Sequence, residues 1–395
     1  MDAVVYSLLS GSATLLAERG VRHLAKQLHR DSIVLRASKS NASATILTTG
    51  ASLQSLIHPD GTDILLGWEH AAAYQHQSCF SGCIVGPVAN RTYLGRLDLS
   101  DGTHQLTLNH NANNNNAHHH HGGFEGLHKR SWLVYSRSFN KHYGDSVTLA
   151  CELRDGHEGY PSSRLFFAEF TLIDAGPNAA SLDLKLSSIN LGDIPSAANP
   201  SLHPYLAPHG NTNATERSAN DLLLQLPNSE TFLPVDHENI PTGDIEHVTS
   251  PSNQYRDLRK YPERIKDKAP IGGFDSYFFL NNPNGEEEHK HVSEHKTAPD
   301  ARNEMPMELA ARLIDEQSNR EISVLTDAPG IQVFTGGVPR SHGKHQVEYG
   351  RENAVAIEAH WPPDATHLRG PVPGIELPPE SSSSFRTRYL MSYAE

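Results

Sequence analysis

Ser181-Leu-Asp-Leu-Lys-Leu-Ser187 alternates apolar and polar residues, so Leu182, Leu184 and Leu186 share one face of an extended chain while Asp183 and Lys185 take the other. A helix would scatter these leucines; a half-buried strand lines them up. The same signature recurs outward in both directions. Ser32–Arg36, Ala44–Thr49 and Leu53–His58 come first, bounded by Asn, Gly and Pro-Asp-Gly turn residues. Gln105–Leu108, Trp132–Ser138, Ser146–Leu153 and Leu165–Ile173 lead up to it. Leu222–Leu226, Ser276–Leu280, Glu321–Thr326, Ile331–Thr335, Ala354–Trp361 and Phe385–Tyr393 follow. Long helical periods are almost absent. Many short strands with turns between them predict an all-β protein. With no internal repeat and no dividing linker, residues 32–395 read as one large sandwich-like domain behind an N-terminal extension of residues 1–31.

In that extension Val21, Leu24 and Leu28 are spaced for a helix among Arg19, Arg22, Lys26 and Arg30. It reads as a helical extension, with a mitochondrial presequence as the alternative; Asp2 stands where a secretory signal needs positive charge. A formal net charge of −13, with no basic patch to offset it, argues against a nucleic-acid surface. No stretch is long and apolar enough to suggest a membrane span. Cys79, Cys83 and Cys151 are an odd number without a CxxC pair, which fits a reducing, cytoplasmic setting and no disulfide framework. Two segments are low-complexity loops: Asn109–His121, with its asparagine and histidine runs, and the charged run Gly285–Glu304. Adjacent histidines on an extended chain point to opposite sides, so His118–His121 are not read as a structural metal site.

Ala354-Val-Ala-Ile-Glu-Ala-His-Trp361 puts Val355, Ile357, Ala359 and Trp361 on one face and Ala354, Ala356, Glu358 and His360 on the other. A carboxylate standing on a floor of alanines is costly to bury without partners or a task. Pro362, Pro363 and Asp364 end the strand at once, which predicts Glu358 near a rim; taken alone it reads as the wet face of an edge strand. Four other stretches carry chemistry-bearing residues in plain settings. Asn90 and Arg91 sit in Gly86-Pro-Val-Ala-Asn-Arg-Thr-Tyr-Leu-Gly-Arg96, by itself a turn with an exposed arginine. His121 precedes Gly122 and Gly123, by itself a flexible loop. His203 lies among apolar residues in Leu202-His-Pro-Tyr-Leu206, the setting of an ordinary core histidine. Asp275 opens a strand after Gly272-Gly-Phe274, where capping a turn is the default.

In their order, these stretches resemble the aldose 1-epimerase (galactose mutarotase) family. The resemblance rests on Gly86–Arg96, on His121-Gly-Gly closing at Trp132, on His203-Pro-Tyr205, on Gly273-Phe-Asp275, on Gln332-Val-Phe-Thr-Gly336, and on Glu358 followed by Pro363-Asp364. It spans Ser32 to the C terminus. Pro204 inside the third element and the swollen loop before His121 depart from the family pattern; among His118–His121, His121 is chosen because it directly precedes the glycines.

The resemblance implies a β-supersandwich with an open sugar-binding cleft, and interconversion of the α and β anomers of a free aldohexose without cofactor or metal. It assigns Glu358 as general base, His203 as general acid and His121 as an assisting group, with Arg91, Asp275 and Asn90 binding the sugar. The nearest alternative is a hexose-6-phosphate 1-epimerase. The alternative from another class is a non-catalytic sugar-binding or regulatory protein on the same fold.

Overall fold

The computed structural model describes residues 32–110, 117–140, 144–249, 255–280, 306–338, 340–368 and 374–394. The extension 1–31, the run Gly285–Glu304 and most of the asparagine tract lie outside the described residues.

Two antiparallel sheets make the body. The larger has nine strands, in the order Glu263–Arg264, Leu223–Gln225, Glu308–Asp315, Arg320–Thr326, Ser382–Tyr393, Ala179–Asn190, Arg164–Gly176, Gly144–Leu153 and Leu133–Asn140. The strand with the clearest alternation, Ala179–Asn190, lies inside it and keeps one register against Ser382–Tyr393, from Ala180↔Met391 to Ile189↔Ser382. The second sheet has six strands: Tyr205–Leu206, Val355–Ala359, Gly330–Phe334, Asp275–Leu280, Ser229–Leu233 and Glu246–His247. Ser32–Arg36, Ser43–Leu47 and Leu53–Ile57 form a separate three-stranded sheet.

One contiguous apolar cluster joins the two large sheets. Leu182, Leu184, Val324 and Phe385 reach it from the larger, and Phe278, Ile331, Val333, Val355 and Ile357 from the smaller. Each such side chain removed from water stabilises the fold by about 1.5–3 kcal/mol. Because strand side chains alternate, filling this core with one face of the six-stranded sheet commits the other face. Cross-strand partners project to the same side. The register Tyr277↔Gln332↔Glu358 therefore makes one row on that second face, and Asp275↔Phe334↔Ala356 makes the next.

Three local expectations change. Glu358 is not on an edge strand: Val355–Ala359 runs between Tyr205–Leu206 and Gly330–Phe334, and Glu358 is buried. The strand expected at Gln105–Leu108 lies at Gly102–Gln105, because a hairpin through Ser100 and Asp101 pairs it with Arg96–Leu99; Leu106 is buried in a satellite core instead. Glu308–Asp315 is absent from the predicted strands, and its Glu, Leu, Ala and Arg content favours a helix. It pairs on both sides within the large sheet, where context outweighs propensity.

Pro204, the departure inside the His-Pro-Tyr element, marks a change of partner. Ser201–Leu202 pairs with Ile84–Val85, whereas Tyr205–Leu206 pairs with Val355–Ala356. A proline has no N–H for a ladder, so it suits the gap between two pairings. That gap leaves His203 beside the unpaired edge of Val355–Ala359, at the level of Glu358.

Leu182 is fully buried in an interior strand of the large sheet. Leu182→Ala should lower unfolding free energy by about 2–5 kcal/mol in urea titrations; a loss under about 1 kcal/mol would mean the sheets do not pack as described.

Candidate active site

The second face of the six-stranded sheet is the floor of a cleft. Asn90, Arg91, Asp275, Tyr277 and Gln332 line it, with Leu233, Val235, Asn239, Pro241 and Pro363 as less polar wall. Glu358 continues the row begun by Tyr277 and Gln332, and is 2% exposed. His203 Nε2 stands 3.3 Å from Glu358 Oε1. The ring of His121 is 5.5 Å from that of His203, in an edge-on arrangement. Thus three residues from distant parts of the chain, His121, His203 and Glu358, bring polar atoms within 4.8 Å of one another.

Loop chemistry sets both histidines. The His203 backbone is held on both sides, its N–H donating to Cys83 O at 3.0 Å and its carbonyl accepting from Gly82 N–H at 2.8 Å. His121 is in the left-handed region with φ 49°, followed by Gly122 at φ 85° and Gly123 at φ 90°. A Cβ on Gly122 would lie 1.8 Å from Gly86 O, so only glycine allows the loop to close against the Gly86 stretch. Asn90 completes the link: its N–H donates to His121 Nδ1 at 3.0 Å, and its carbonyl accepts from His121 N–H at 3.0 Å.

That first bond decides the tautomer of His121. With Nδ1 accepting, the proton of the neutral ring is on Nε2, making that nitrogen a donor. A metal ligand commonly donates its far nitrogen to an acceptor and offers the other lone pair. His121 is arranged the opposite way. Although His121, His203 and Glu358 are the one group of metal-capable side chains found together among the described residues, their hydrogen bonding fits proton chemistry better than metal binding.

Arg91 crosses the cleft. Its Nη2 lies 3.3 Å from Asp275 Oδ2, its Nη1 donates to Asn90 Oδ1 at 3.3 Å, and its Nε donates to His110 Nε2 at 3.4 Å. Asp275 Oδ1 accepts from Gln332 Nε2 at 2.6 Å. The Pro-Asp element fixes this side from below: Asp364 N–H donates to Arg91 O at 3.2 Å, and Asp364 Oδ1 accepts from Tyr93 N–H at 2.9 Å. Asn90 lines the cleft, and its side-chain oxygen is taken by Arg91, through both the backbone N–H and the guanidinium.

Burial dominates the electrostatics. It pushes the Glu358 carboxyl well above its usual value, helped by the Asp275 charge and opposed by Arg91. It pushes His203 down to about 4 and His121 well below the imidazole range, the latter also because of neighbouring His203 and Arg91. His360 is held at about 4 for the same reason. Burial therefore disfavours the charged form of both members of the Glu358–His203 pair. Glu358 Oε2, Gln332 Oε1 and His203 Nδ1 are buried without a hydrogen-bond partner in the protein, an unstable condition for polar atoms unless a ligand or water completes it.

Two residues here carry no signal of their own in the sequence. Gln332 appeared only as part of a family element, and its place in the row between Tyr277 and Glu358 depends on strand register. Phe80 packs its ring against His121, His128 and His203, with centroids 4.6, 4.9 and 6.2 Å apart, and holds φ 59° to do so. Nothing in Cys79-Phe-Ser81 signals this. Of the other histidines of the run, His120 packs its ring on His121 with centroids 3.8 Å apart, whereas His119 Nε2 pairs with Tyr160 OH at 2.8 Å and His118 Nε2 faces Glu238 Oε2 at 3.3 Å.

Comparison with known proteins gives this geometry a context. The profile of the Aldose 1-epimerase family matches residues 31–390. Galactose mutarotase of Bos taurus is 26% identical over 359 residues, covering 88% of this chain and 91% of that protein. Aldose 1-epimerase of Escherichia coli K12 is 26% identical over 357 residues, covering 87% and 90%. Among solved structures, an aldose epimerase homologue from C. elegans superposes with TM-score 0.73 at 22% identity, over 92% of this chain and 99% of that one. Galactose 1-epimerase from Lactobacillus acidophilus gives TM-score 0.68 at 24% identity, over 90% and 92%. These two likenesses establish the fold as all-β and galactose mutarotase-like.

The depressed histidines have a consequence for stability. Folded His203 and His360 take up a proton only near pH 4, and unfolded histidine near 6.5, so between these values the unfolded chain binds more protons. The part of the stability owed to these histidines should then be full above about pH 6.5 and fall towards pH 4, outweighing the opposite slope of the single raised carboxyl of Glu358. Urea unfolding across that window checks it; a flat profile would contradict a neutral, buried cluster.

Proposed function

The chain belongs to the aldose 1-epimerase family, a family of isomerases, and on that footing we propose that it interconverts the α and β anomers of free aldohexoses such as galactose and glucose. The observation that carries the reading is the 3.3 Å approach of His203 Nε2 to Glu358 Oε1 beside a polar cleft. Ring opening needs one group to take a proton and one to give it, a few ångströms apart.

Glu358 takes the proton of the C1 hydroxyl, and His203 delivers a proton to the ring oxygen as the bond from C1 to that oxygen breaks. The open aldehyde turns about C1–C2. Reclosure reverses both transfers on the other face of C1, so each group returns to its starting state. Two protons move and no electrons, so the chemistry asks for no redox cofactor.

A pair that shares one proton suits this cycle. Glu358 ionised with His203 protonated is the form that opens a ring; Glu358 protonated with His203 neutral is the form left after opening, and the form that burial favours. Neither form carries net charge, so the exchange avoids isolating an ion in a dry site. Each positioned acid or base gives about 10²–10⁴-fold. His121 presents Nε2–H to the reacting end of the sugar. Arg91 supplies fixed donors, and Asp275 with Gln332 accepts and donates at the far hydroxyls. Asn90 holds Arg91 and the His121 tautomer in place.

Among the described residues lining the cleft, Arg91 is the one cation, and Asp275 already faces it. That arrangement favours an uncharged sugar over a phosphorylated one.

Polarimetry on freshly dissolved α-D-galactose and α-D-glucose, corrected for the spontaneous drift, tests the reading. The wild type should speed equilibration, and Glu358→Gln and His203→Gln should each lose about 10²-fold or more. If the wild type fails on both sugars but acts on glucose 6-phosphate, the phosphosugar reading replaces this one; failure on all three leaves a binding protein. The same Glu358→Gln variant should be at least as stable as the wild type at neutral pH. A carboxyl whose folded value is raised destabilises the fold as pH climbs above its unfolded value near 4.5, and the amide escapes that cost.

A further inference from the structure

We propose that His110 is a positioning residue for the sugar reaction: its imidazole accepts the Nε–H of Arg91 and so sets the plane in which that guanidinium meets the sugar, a role that rests on the function proposed for the cleft. His110 lies in the asparagine- and histidine-rich loop that departs from the family pattern.

A guanidinium carries five N–H groups in one plane. On Arg91, Nη1 faces Asn90 Oδ1 and Nη2 faces Asp275 Oδ2, each at 3.3 Å, while Nε faces His110 Nε2 at 3.4 Å. One N–H on each terminal nitrogen is then left for a ligand. All three contacts are long for hydrogen bonds, so no one of them holds the plane and the three together do. Asn90 is the sequence neighbour of Arg91, and Asp275 also accepts from Gln332. Among the described residues, His110 is the partner of Nε.

His110 is itself held. Its N–H donates to His118 O at 3.0 Å, and its carbonyl accepts from His118 N–H at 2.8 Å. Its ring lies against that of His120, with centroids 4.4 Å and planes 36° apart, and His120 lies against His121 at 3.8 Å. Backbone pairing and ring packing together keep Nε2 turned towards Arg91. One assembly of three rings thus runs from the arginine to the histidine at the reacting end.

Accepting from Arg91 needs a lone pair on Nε2, so His110 is neutral with its proton on Nδ1. Its surroundings enforce that form. Burial holds it down to about 4, and the charges of Arg91 and of protonated His118 act in the same direction, against the pull of Asp275. An aliphatic side chain at this position would fill the space and leave the Nε–H without its acceptor. Glu358 and His203 would be untouched, so the loss falls on sugar binding rather than on proton transfer.

Polarimetry on α-D-galactose and α-D-glucose tests this. His110→Leu, or His110→Ala should the leucine variant fold poorly, should raise KM about tenfold and leave kcat within about twofold. His110→Gln, whose Oε1 can stand where Nε2 does, should keep KM near the wild-type value. A role in packing alone would reverse that order, since leucine replaces the buried ring better than glutamine. Nitrogen-resolved NMR of the full chain gives a second readout, the solvent exchange of the Arg91 Nε–H, with its signal assigned by its loss in Arg91→Lys. Exchange should be slow in the wild type and in His110→Gln, and about tenfold or more faster in His110→Leu. An unchanged KM in His110→Leu, equal losses in His110→Leu and His110→Gln, or equal exchange in the wild type and His110→Leu would each overturn the proposal. A wild type without turnover on either sugar would instead reject the function assigned to the cleft, and the exchange rates would still decide whether His110 holds Arg91.

Discussion

The register of the six-stranded sheet is the constraint on which everything else rests. Strand side chains repeat every two residues, so a slip of one residue would carry Glu358, Gln332 and Tyr277 into the apolar interior and bring Ile357, Val333 and Phe278 out. The core prevents this. Phe278, Val333 and Ile357 are fully buried in the cluster shared with the large sheet. The hydrophobic effect thus places a polar row it makes no contact with. Function sits on the face that packing leaves over.

The strands provide the floor, but loops bring the histidines to it, and the loops rely on backbone conformations that few residues accept. Asn90 and His121 both have positive φ and are tied to each other twice. One of those bonds also fixes which nitrogen of His121 holds its proton. Positioning and protonation are thus set by the same contact. Burial completes the arrangement, since the low dielectric that makes a lone carboxylate costly also makes a shared proton the economical state of the His203–Glu358 pair.

Much of this was legible before any coordinates. Ser181–Ser187 announced its strand because its two faces differ so sharply, and the strands that pack one face inward were readable in the same way. Glu308–Asp315 was not, since its residues favour a helix and only its neighbours in the sheet decide otherwise. For the site, the ordered elements from Asn90-Arg91 to Glu358 carried the expected residues, and His121, His203, Glu358, Arg91 and Asp275 do converge. The depth of Glu358 was misjudged because Pro362 and Pro363 signal where a strand stops, not what covers it. Phe80 was invisible, because nothing local distinguishes an aromatic in a turn from one packed on a histidine. Gln332 was quoted within an element, but its hydrogen bond to Asp275 follows from pairing between strands far apart in the chain.

The chain carries a formal net charge of −13, whereas Glu358 and His203, 3.3 Å apart, are both buried. These two facts bear on ionic strength. Dissolved salt screens charges that face solvent over about 8–10 Å and reaches buried ones far less. An uncharged ligand feels no steering from the field of the molecule, so its rate of capture owes little to the acidic surface. Salt therefore acts on how these molecules repel one another in solution, and reaches the buried Glu358–His203 pair far less.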